Sequence, residues 1–374
     1  MKGRGMKVLF ISHMPPPTTG IGSWTKRILA AGFPGGWEIG FVNSNMIGGR
    51  DPFKNTKIKL TDEIKRSFAI WREEKRALKR DPAYAVVHTN IPCTVFGMIR
   101  ETVTAMIAKR YGKKFVLHCH CTVPNVVNKG YKRAFMKFLL TFCDGVIVLN
   151  MRSLEFVQKL TKRPVRIIPN FVSENELADS KNREILPKIK NALFVGGVTP
   201  EKGCDTIIEA AKKLPDIRFH LVGTVSDEIR KMEISKNVVF YGNQSGEFVG
   251  KILLKSDVFL FLSRYFGEGF SVALTEAMGA GLPCIVTDWA ANADMIENQG
   301  GLVIGQKDPA ALINALKKLD DPAIREKASA WNIRKVGRCY TDRVILPQFS
   351  TFYEEITNSA KQRLPSAWST NRPG

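Results

Sequence analysis

The chain has 374 residues, 44% of them hydrophobic and 24% charged, which excludes a disordered protein and exceeds what one ordinary core holds. Its net charge of +21 is uneven: residues 1–173 carry 30 Lys/Arg against 10 Asp/Glu, and residues 174–374 carry 26 against 25. That asymmetry points to an anionic partner for the first half, or to a basic surface that serves only solubility.

The apolar run Lys7–Ser12 reads as a first strand, stopping before Pro15-Pro16-Pro17 with no small-residue cleavage site behind it. No segment reaches about 18 uninterrupted apolar residues, so a cytoplasmic protein is expected. After Gly20-Ile21-Gly22 a helix runs over Gly22–Ala31; a Gly-x-Gly between strand and helix suits a phosphate, or simply a turn needing positive φ. Strands follow at Glu38–Val42, Ala85–His88, Phe115–His120 and Gly145–Leu149, and helices at Asp62–Arg80, Pro92–Arg110 and Tyr131–Phe142. Within His118-Cys119-His120-Cys121 alternate side chains leave opposite faces of a strand, so the four do not converge on one metal ion. The seven cysteines show no framework spacing and read as reduced, mostly buried thiols.

A polar stretch over 173–190 reads as a linker, and the alternation then restarts. Strands are expected at Ala192–Val195, Arg218–Val222, Val238–Tyr241, Val258–Leu262 and Pro283–Thr287, with helices at Asp205–Lys213, Gly246–Lys255 and Val272–Gly279. The fold class is therefore α/β, two tandem Rossmann-like doubly wound domains facing a central cleft. The boundaries are 1–172 for an acceptor-binding domain and 191–345 for a donor-binding domain. A helix over 346–362 crosses back to the first domain, and a loose tail occupies 363–374.

The segment with most chemistry runs from Ser263 to Met278. Gly267 and Gly269 allow close backbone approach at a strand-to-helix turn, and the following helix offers free N–H groups and a positive dipole end to a diphosphate. Glu276, a turn into that helix, can accept hydrogen bonds from ribose hydroxyls.

Glu268 and Glu276, followed by Ala277-Met278 and Gly281-Leu282-Pro283, resemble the Glu-x7-Glu signature of retaining GT-B glycosyltransferases, family four (glycosyl transferases group one). Ile168-Pro169-Asn170, Val195-Gly196-Gly197-Val198, Glu201-Lys202-Gly203, Leu221-Val222-Gly223 and Thr287-Asp288-Trp289 keep the same family's order. The resemblance implies a transferase using a nucleotide-diphosphate sugar, UDP or GDP in type, with no cofactor and no metal. It implies that Glu268 meets the donor sugar with Gly269 and Phe270 supplying N–H groups, that Gly267 and Ser271 also lie at the donor, and that Lys202 neutralises the diphosphate. Gly196 and Gly223 would lie along the donor, Glu276 on the ribose, and Gly20 and Gly22 near the donor phosphate. Lys202 as a turn residue and Glu276 as a salt-bridged helix residue are the competing structural readings. The family commonly has arginine where this chain has Gly197, so Arg264 or another basic residue substitutes, or one cation is missing.

On the acceptor side, His120 resembles the family histidine near the transferred sugar. The alternative, a buried core histidine, applies more to His118, and His88 either packs or lines the cleft rim. Lys129, Lys132, Arg133 and Lys137 interleave with aromatics on a helix, and Ile64–Arg80 carries more cations. Such faces suit an anionic membrane, which fits relatives with lipid-linked or glycan acceptors in surface polysaccharide synthesis at the inner face of the membrane; a core-facing helix with a solvated basic back is the plain reading. No nucleic-acid motif accompanies the charge. A nucleotide-sugar epimerase or a non-catalytic donor-binding scaffold are the other functions the pattern allows.

Overall fold

The computed structural model describes residues 6–15, 20–45, 59–175, 177 and 183–358. The Pro16–Thr19 part of the glycine loop, part of the linker and the tail from 359 lie outside them.

Each half builds a six-stranded sheet in which all pairings are parallel. The first contains β1 (Lys7–Ser12), β2 (Glu38–Asn43), β3 (Tyr84–Ile91), β4 (Lys114–Cys119), β5 (Gly145–Val148) and β6 (Val165–Ile167), in the order β2-β1-β3-β4-β5-β6. Its helices are α1 (Gly20–Ala31), α2 (Leu60–Arg80), α3 (Val95–Arg110), α4 (Val123–Val126), α5 (Gly130–Phe142) and α6 (Met151–Gln158). Period-two alternation sorts the strand residues between two cores. Leu9, Ile11, Val87, Phe115 and Leu117 pack under α2, α3 and α5, whereas Val8, Phe10, Val86 and Val116 pack against α1 and a helix from the far end of the chain. The same parity puts His88 and His118 on the second face and Cys119 on the first.

The second sheet contains β7 (Asn191–Val195), β8 (Arg218–Val222), β9 (Val238–Gly242), β10 (Val258–Phe261), β11 (Cys284–Thr287) and β12 (Gly301–Ile304), in the order β12-β11-β10-β7-β8-β9. Around it lie α7 (Cys204–Ala211), α8 (Asp227–Arg230), α9 (Gly246–Lys255), α10 (Val272–Gly279), α11 (Asn292–Ile296), α12 (Pro309–Leu319) and α13 (Pro322–Cys339). Strand order reverses between β7 and β10, and a doubly wound sheet opens a crevice at the strand ends there. The segments after β7 and β10 are Val195–Val198 and Ser263–Gly269, so topology alone brings these two motifs together.

The last helix, α14 (Asp342–Asn358), inserts Ile345, Phe349, Phe352 and Tyr353 into the second core of the first sheet. The edge strands β6 and β12 are absent from the sequence reading because each is short and only partly buried, which leaves a weak apolar run. α3 begins at Val95, three residues later than expected, because the Thr94 side chain accepts from Gly97 N at 3.3 Å and caps it there. Among the described residues no helix is long and apolar enough to cross a membrane.

Candidate active site

Behind β7 the chain makes a short 3₁₀ turn over Pro200–Lys202. Arg264 N donates to Glu201 O at 2.8 Å, which docks this turn on the segment leaving β10. Lys202 Nζ then lies 2.5 Å from Glu268 Oε2 and 4.9 Å from the ring centre of Tyr265. Ser263 Oγ is 2.9 Å from the same carboxylate oxygen, and Glu268 is only 9% exposed. A compact cation and a carboxylate, 66 positions apart in sequence, therefore share one pocket wall at the switch point. Thr287 Oγ1 donates to Ser263 O at 2.6 Å and Trp289 Nε1 to Tyr265 O at 2.6 Å, so the Thr-Asp-Trp segment props the loop from behind. Gly267 is half-buried against the Tyr265 ring.

The loop from Glu268 to Phe270 is clamped by the other domain and its hinge. Glu268 O accepts from Thr122 N at 2.8 Å, Gly269 O from Asn150 Nδ2 at 3.0 Å, and Phe270 O from Asn170 Nδ2 at 2.6 Å. In a trans peptide the N–H points opposite to the preceding C=O. With three successive carbonyls committed to these donors, the N–H groups of Gly269, Phe270 and Ser271 turn away from them. Gly269 is required for this approach: a Cβ there would stand 2.9 Å from Leu149 Cδ1, 3.0 Å from His120 O and 3.1 Å from Cys121 Cα. The Phe270 ring packs edge-on against Tyr340 at 5.0 Å, so its backbone is what faces the cleft wall. Ser271 Oγ accepts from Leu274 N at 3.1 Å and caps α10, so its hydroxyl is a helix cap.

Gly196 and Gly223 end β7 and β8 side by side. Gly223 has φ +140°, and a Cβ there would fall 1.8 Å from Gly196 O, so only glycine fits. Gly197 leads into this turn and brings no charge.

Arg264 is one of the residues that could stand in for that charge. Its guanidinium closes on Asp205 with Nη2–Oδ2 at 2.6 Å and Nη1–Oδ1 at 3.2 Å, a two-pronged pair at the start of α7. That geometry commits the fork.

His120 follows β4, and its backbone N donates to Ile91 O at 2.9 Å. The ring is 9% exposed, edge-on to Trp24 at 5.0 Å and 4.0 Å from the His118 ring. His120 Nε2 has no hydrogen-bond partner among the described residues. Burial, with His88 and His13 nearby, lowers the His120 pKa to about 3, so the imidazole is neutral at ordinary pH. It can then donate or accept a hydrogen bond, but it brings no charge. His118 is fully buried, as the plainer reading has it. His88 does not line the rim: it is fully buried, with Nδ1 2.7 Å from Tyr353 Oη and Nε2 3.3 Å from His118 Nδ1.

Gly20 and Gly22 lie in the first turn of α1, in helical conformation without positive φ, so the turn reading is dropped. Sequence reasoning missed Arg27 on α1: Arg27 Nη2 forms an ion pair with Glu276 Oε1 across the cleft. A sequence pattern cannot pair residues 249 positions apart. Asn150 and Thr122 were missed for the same reason, since each acts through one contact with a distant backbone.

On the first domain's helical face, Lys129 and Lys137 are exposed. Lys132 is half-buried, and its Nζ donates back to Val126 O at 2.9 Å. Arg133 lies 5.8 Å over the Phe156 ring. The apolar residues interleaved with these cations extend over neighbouring helices. Ile64 and Phe68 on α2, Ile99 and Met106 on α3, and Phe135 and Phe138 on α5 are all exposed, and α3 packs between the other two helices.

Residues 177–334 match the family model described as glycosyl transferases group 1. The chain is 26% identical over 301 residues to UDP-Gal:alpha-D-GlcNAc-diphosphoundecaprenol alpha-1,3-galactosyltransferase of Escherichia coli, covering 71% of this chain and 73% of that one. Its structure resembles sucrose-phosphate synthase from Thermosynechococcus elongatus with a TM-score of 0.77 at 18% identity, covering 95% and 100% of the two chains. It also resembles Anabaena HepE in complex with UDP and glucose, with a TM-score of 0.67 at 14% identity, covering 93% and 99%.

Proposed function

We propose that this chain, whose residues 177–334 match the glycosyl transferases group 1 model and whose fold is GT-B, is a glycosyltransferase that moves a sugar from a nucleotide-diphosphate sugar to a hydroxyl of a lipid-linked or glycan acceptor, with retention and without a metal ion. The observation that carries this reading is the clamped 268–270 loop, whose three successive carbonyls are taken by Thr122, Asn150 and Asn170 while the Glu268 side chain is paired with Lys202.

In this reading the donor diphosphate sits at the N-terminus of α10, where orphan N–H groups and the helix dipole favour negative charge. Lys202 lies close enough to swing from Glu268 to the leaving diphosphate, and a point cation there stabilises charge that grows as the glycosidic bond breaks. Glu268 then meets the sugar hydroxyls, and Glu276 the ribose. His120, neutral and with a spare Nε2, orients the transferred sugar and bears no charge of its own. Retention follows from same-face displacement, in which the departing phosphate oxygen takes the acceptor proton; among the described residues no carboxylate suited to a nucleophile stands out on the acceptor side. The clamp by Thr122 and Asn150 forms only when the domains meet, so closure both assembles the site and excludes water.

UDP is the nucleotide to test first, since the Escherichia coli relative is named for a UDP-galactose donor and HepE was solved with UDP. An acceptor on a membrane fits the basic first half and the exposed apolar residues of α2, α3 and α5, which together suit an anionic lipid surface. Incubation with a panel of labelled UDP- and GDP-sugars, with and without lipid-linked acceptors, tests the proposal. Transfer or slow donor hydrolysis is expected. Donor interconversion without an acceptor would replace transfer with epimerisation, and failure of every donor to bind would remove the reading.

A further inference from the structure

On the second domain's side of the crevice two basic groups are engaged with carboxylates. Lys202 holds Glu268, Arg264 holds Asp205, and Gly197 contributes no charge. Glu276 takes its cation from the opposite domain: Arg27, on the second turn of α1, pairs with Glu276 on the second turn of α10. The two side chains are 20% and 23% exposed, at the cleft and neither sealed in a core nor free in solvent. The pair uses Oε1 of Glu276, and among the described residues Oε2 accepts no hydrogen bond.

Three positions before Arg27, α1 also carries Trp24, whose ring lies edge-on against His120. Residues three apart share a helix face, so one rigid helix touches both His120 and Glu276. Any movement of the first domain relative to the second shifts both contacts together.

We propose that Arg27 is a positioning residue for the nucleotide donor: it orients the Glu276 carboxylate so that Oε2 faces the ribose, and thereby makes donor binding depend on the closed arrangement of the domains. This rests on the assignment of Glu276 to the ribose. The chemistry is that of a bound anion held by one oxygen. A carboxylate fixed by a guanidinium keeps a single rotamer and accepts a hydroxyl hydrogen bond without losing side-chain freedom at the moment of binding. Donor affinity then reports the state of a residue on the other domain.

The test is titration of UDP, with GDP in parallel, into the full-length wild type, Arg27→Ala, Arg27→Lys, Glu276→Ala and the Arg27→Ala/Glu276→Ala double variant, with the melting temperature of each measured alongside. Arg27→Ala is expected to weaken nucleotide binding about tenfold, the loss of one charge-assisted hydrogen bond. Arg27→Lys should recover part of this, and the double variant should bind no worse than Glu276→Ala alone. In turnover, Arg27→Ala should raise KM for the sugar donor while kcat stays within about threefold. If the wild type binds neither nucleotide, the donor site itself falls and this inference with it. If the wild type binds and Arg27→Ala binds equally well, or if the two single losses add in the double variant, Arg27 has no positioning role while the donor site stands. A melting temperature lowered in Arg27→Ala but not in Arg27→Lys, with both binding UDP like the wild type, makes the ion pair structural only and overturns the inference.

Discussion

Replacing Gly269 with alanine tests the clamped loop most directly. The added methyl would lie 3.0 Å from His120 O and 3.1 Å from Cys121 Cα, both backbone atoms of the strand exit, and 2.9 Å from Leu149 Cδ1. Carbon contacts relax at about 3.5–4.0 Å, so the loop must retreat by roughly 0.5–1 Å. The flexible Leu149 end can yield; the two backbone atoms cannot. That retreat stretches the Asn150–Gly269 and Thr122–Glu268 hydrogen bonds, which stand at 3.0 and 2.8 Å. Overpacking of this kind costs about 1–3 kcal/mol. Because the strain is felt where the two domains meet over the reacting centre, it is expected to appear in the barrier, as a fall in kcat/KM of about 10- to 100-fold. Nucleotide affinity should change less, since the added methyl presses on the 120–121 and 149 contacts and not on Lys202, Glu276 or Arg27. Steady-state transfer kinetics paired with UDP titration separate the two effects. Activity of Gly269→Ala within twofold of wild type would refute the clamp as a determinant of the site.

Other substitutions probe single groups. Lys202→Met should lower kcat by about 100-fold or more, the scale of losing one charge at a developing anion, and rapid-quench measurement of donor cleavage reads it. Because burial holds His120 near a pKa of 3, the kcat/KM profile should show no inflection from it between pH 5.5 and 7.5; His120→Asn should keep more activity than His120→Ala, and a histidine-like inflection lost in both variants would show a titrating role. Glu74 is fully buried on α2, neither carboxylate oxygen has a partner among the described residues, and burial followed by Glu101 pushes its pKa up to about 9. The folded state therefore holds a proton that the unfolded state releases near pH 4.5, so this group's contribution to stability is full below that pH and is lost as pH rises toward 9. Glu74→Gln should abolish that slope and raise stability at pH 8 by roughly 1–3 kcal/mol, read by urea unfolding across pH. Phe135→Asp with Phe138→Asp should reduce sedimentation with anionic vesicles by about tenfold, and at high salt this apolar part should persist when the Lys129 and Lys137 contribution is screened; equal binding by the wild type and the variant would remove the apolar face from the membrane reading.

Two kinds of information stand apart in this protein. The alternation of short apolar runs with amphipathic stretches, the polar break near residue 173 and the glycine-flanked Glu268 are local, so the α/β class, most elements and the turn-to-helix character of 263–278 were legible in the residues themselves. Even the split of His118 from Cys119 follows from strand parity. Edge strands β6 and β12 escaped because half-buried short runs lack a strong period. What only the tertiary structure decided are the pairings. Lys202 meets Glu268 because the strand order reverses between β7 and β10, a property of the whole sheet that no window of sequence contains. Arg264, one candidate for the missing charge, finds Asp205 on α7, a partner 59 positions away that no sequence window shows. Arg27, unremarkable among thirty basic residues of the first half, acquires its place through one ion pair to the other domain. Composition and period report what a residue is and which face it takes; the partner it finds depends on long-range packing, because side chains are satisfied by whatever the fold brings within about 3 Å.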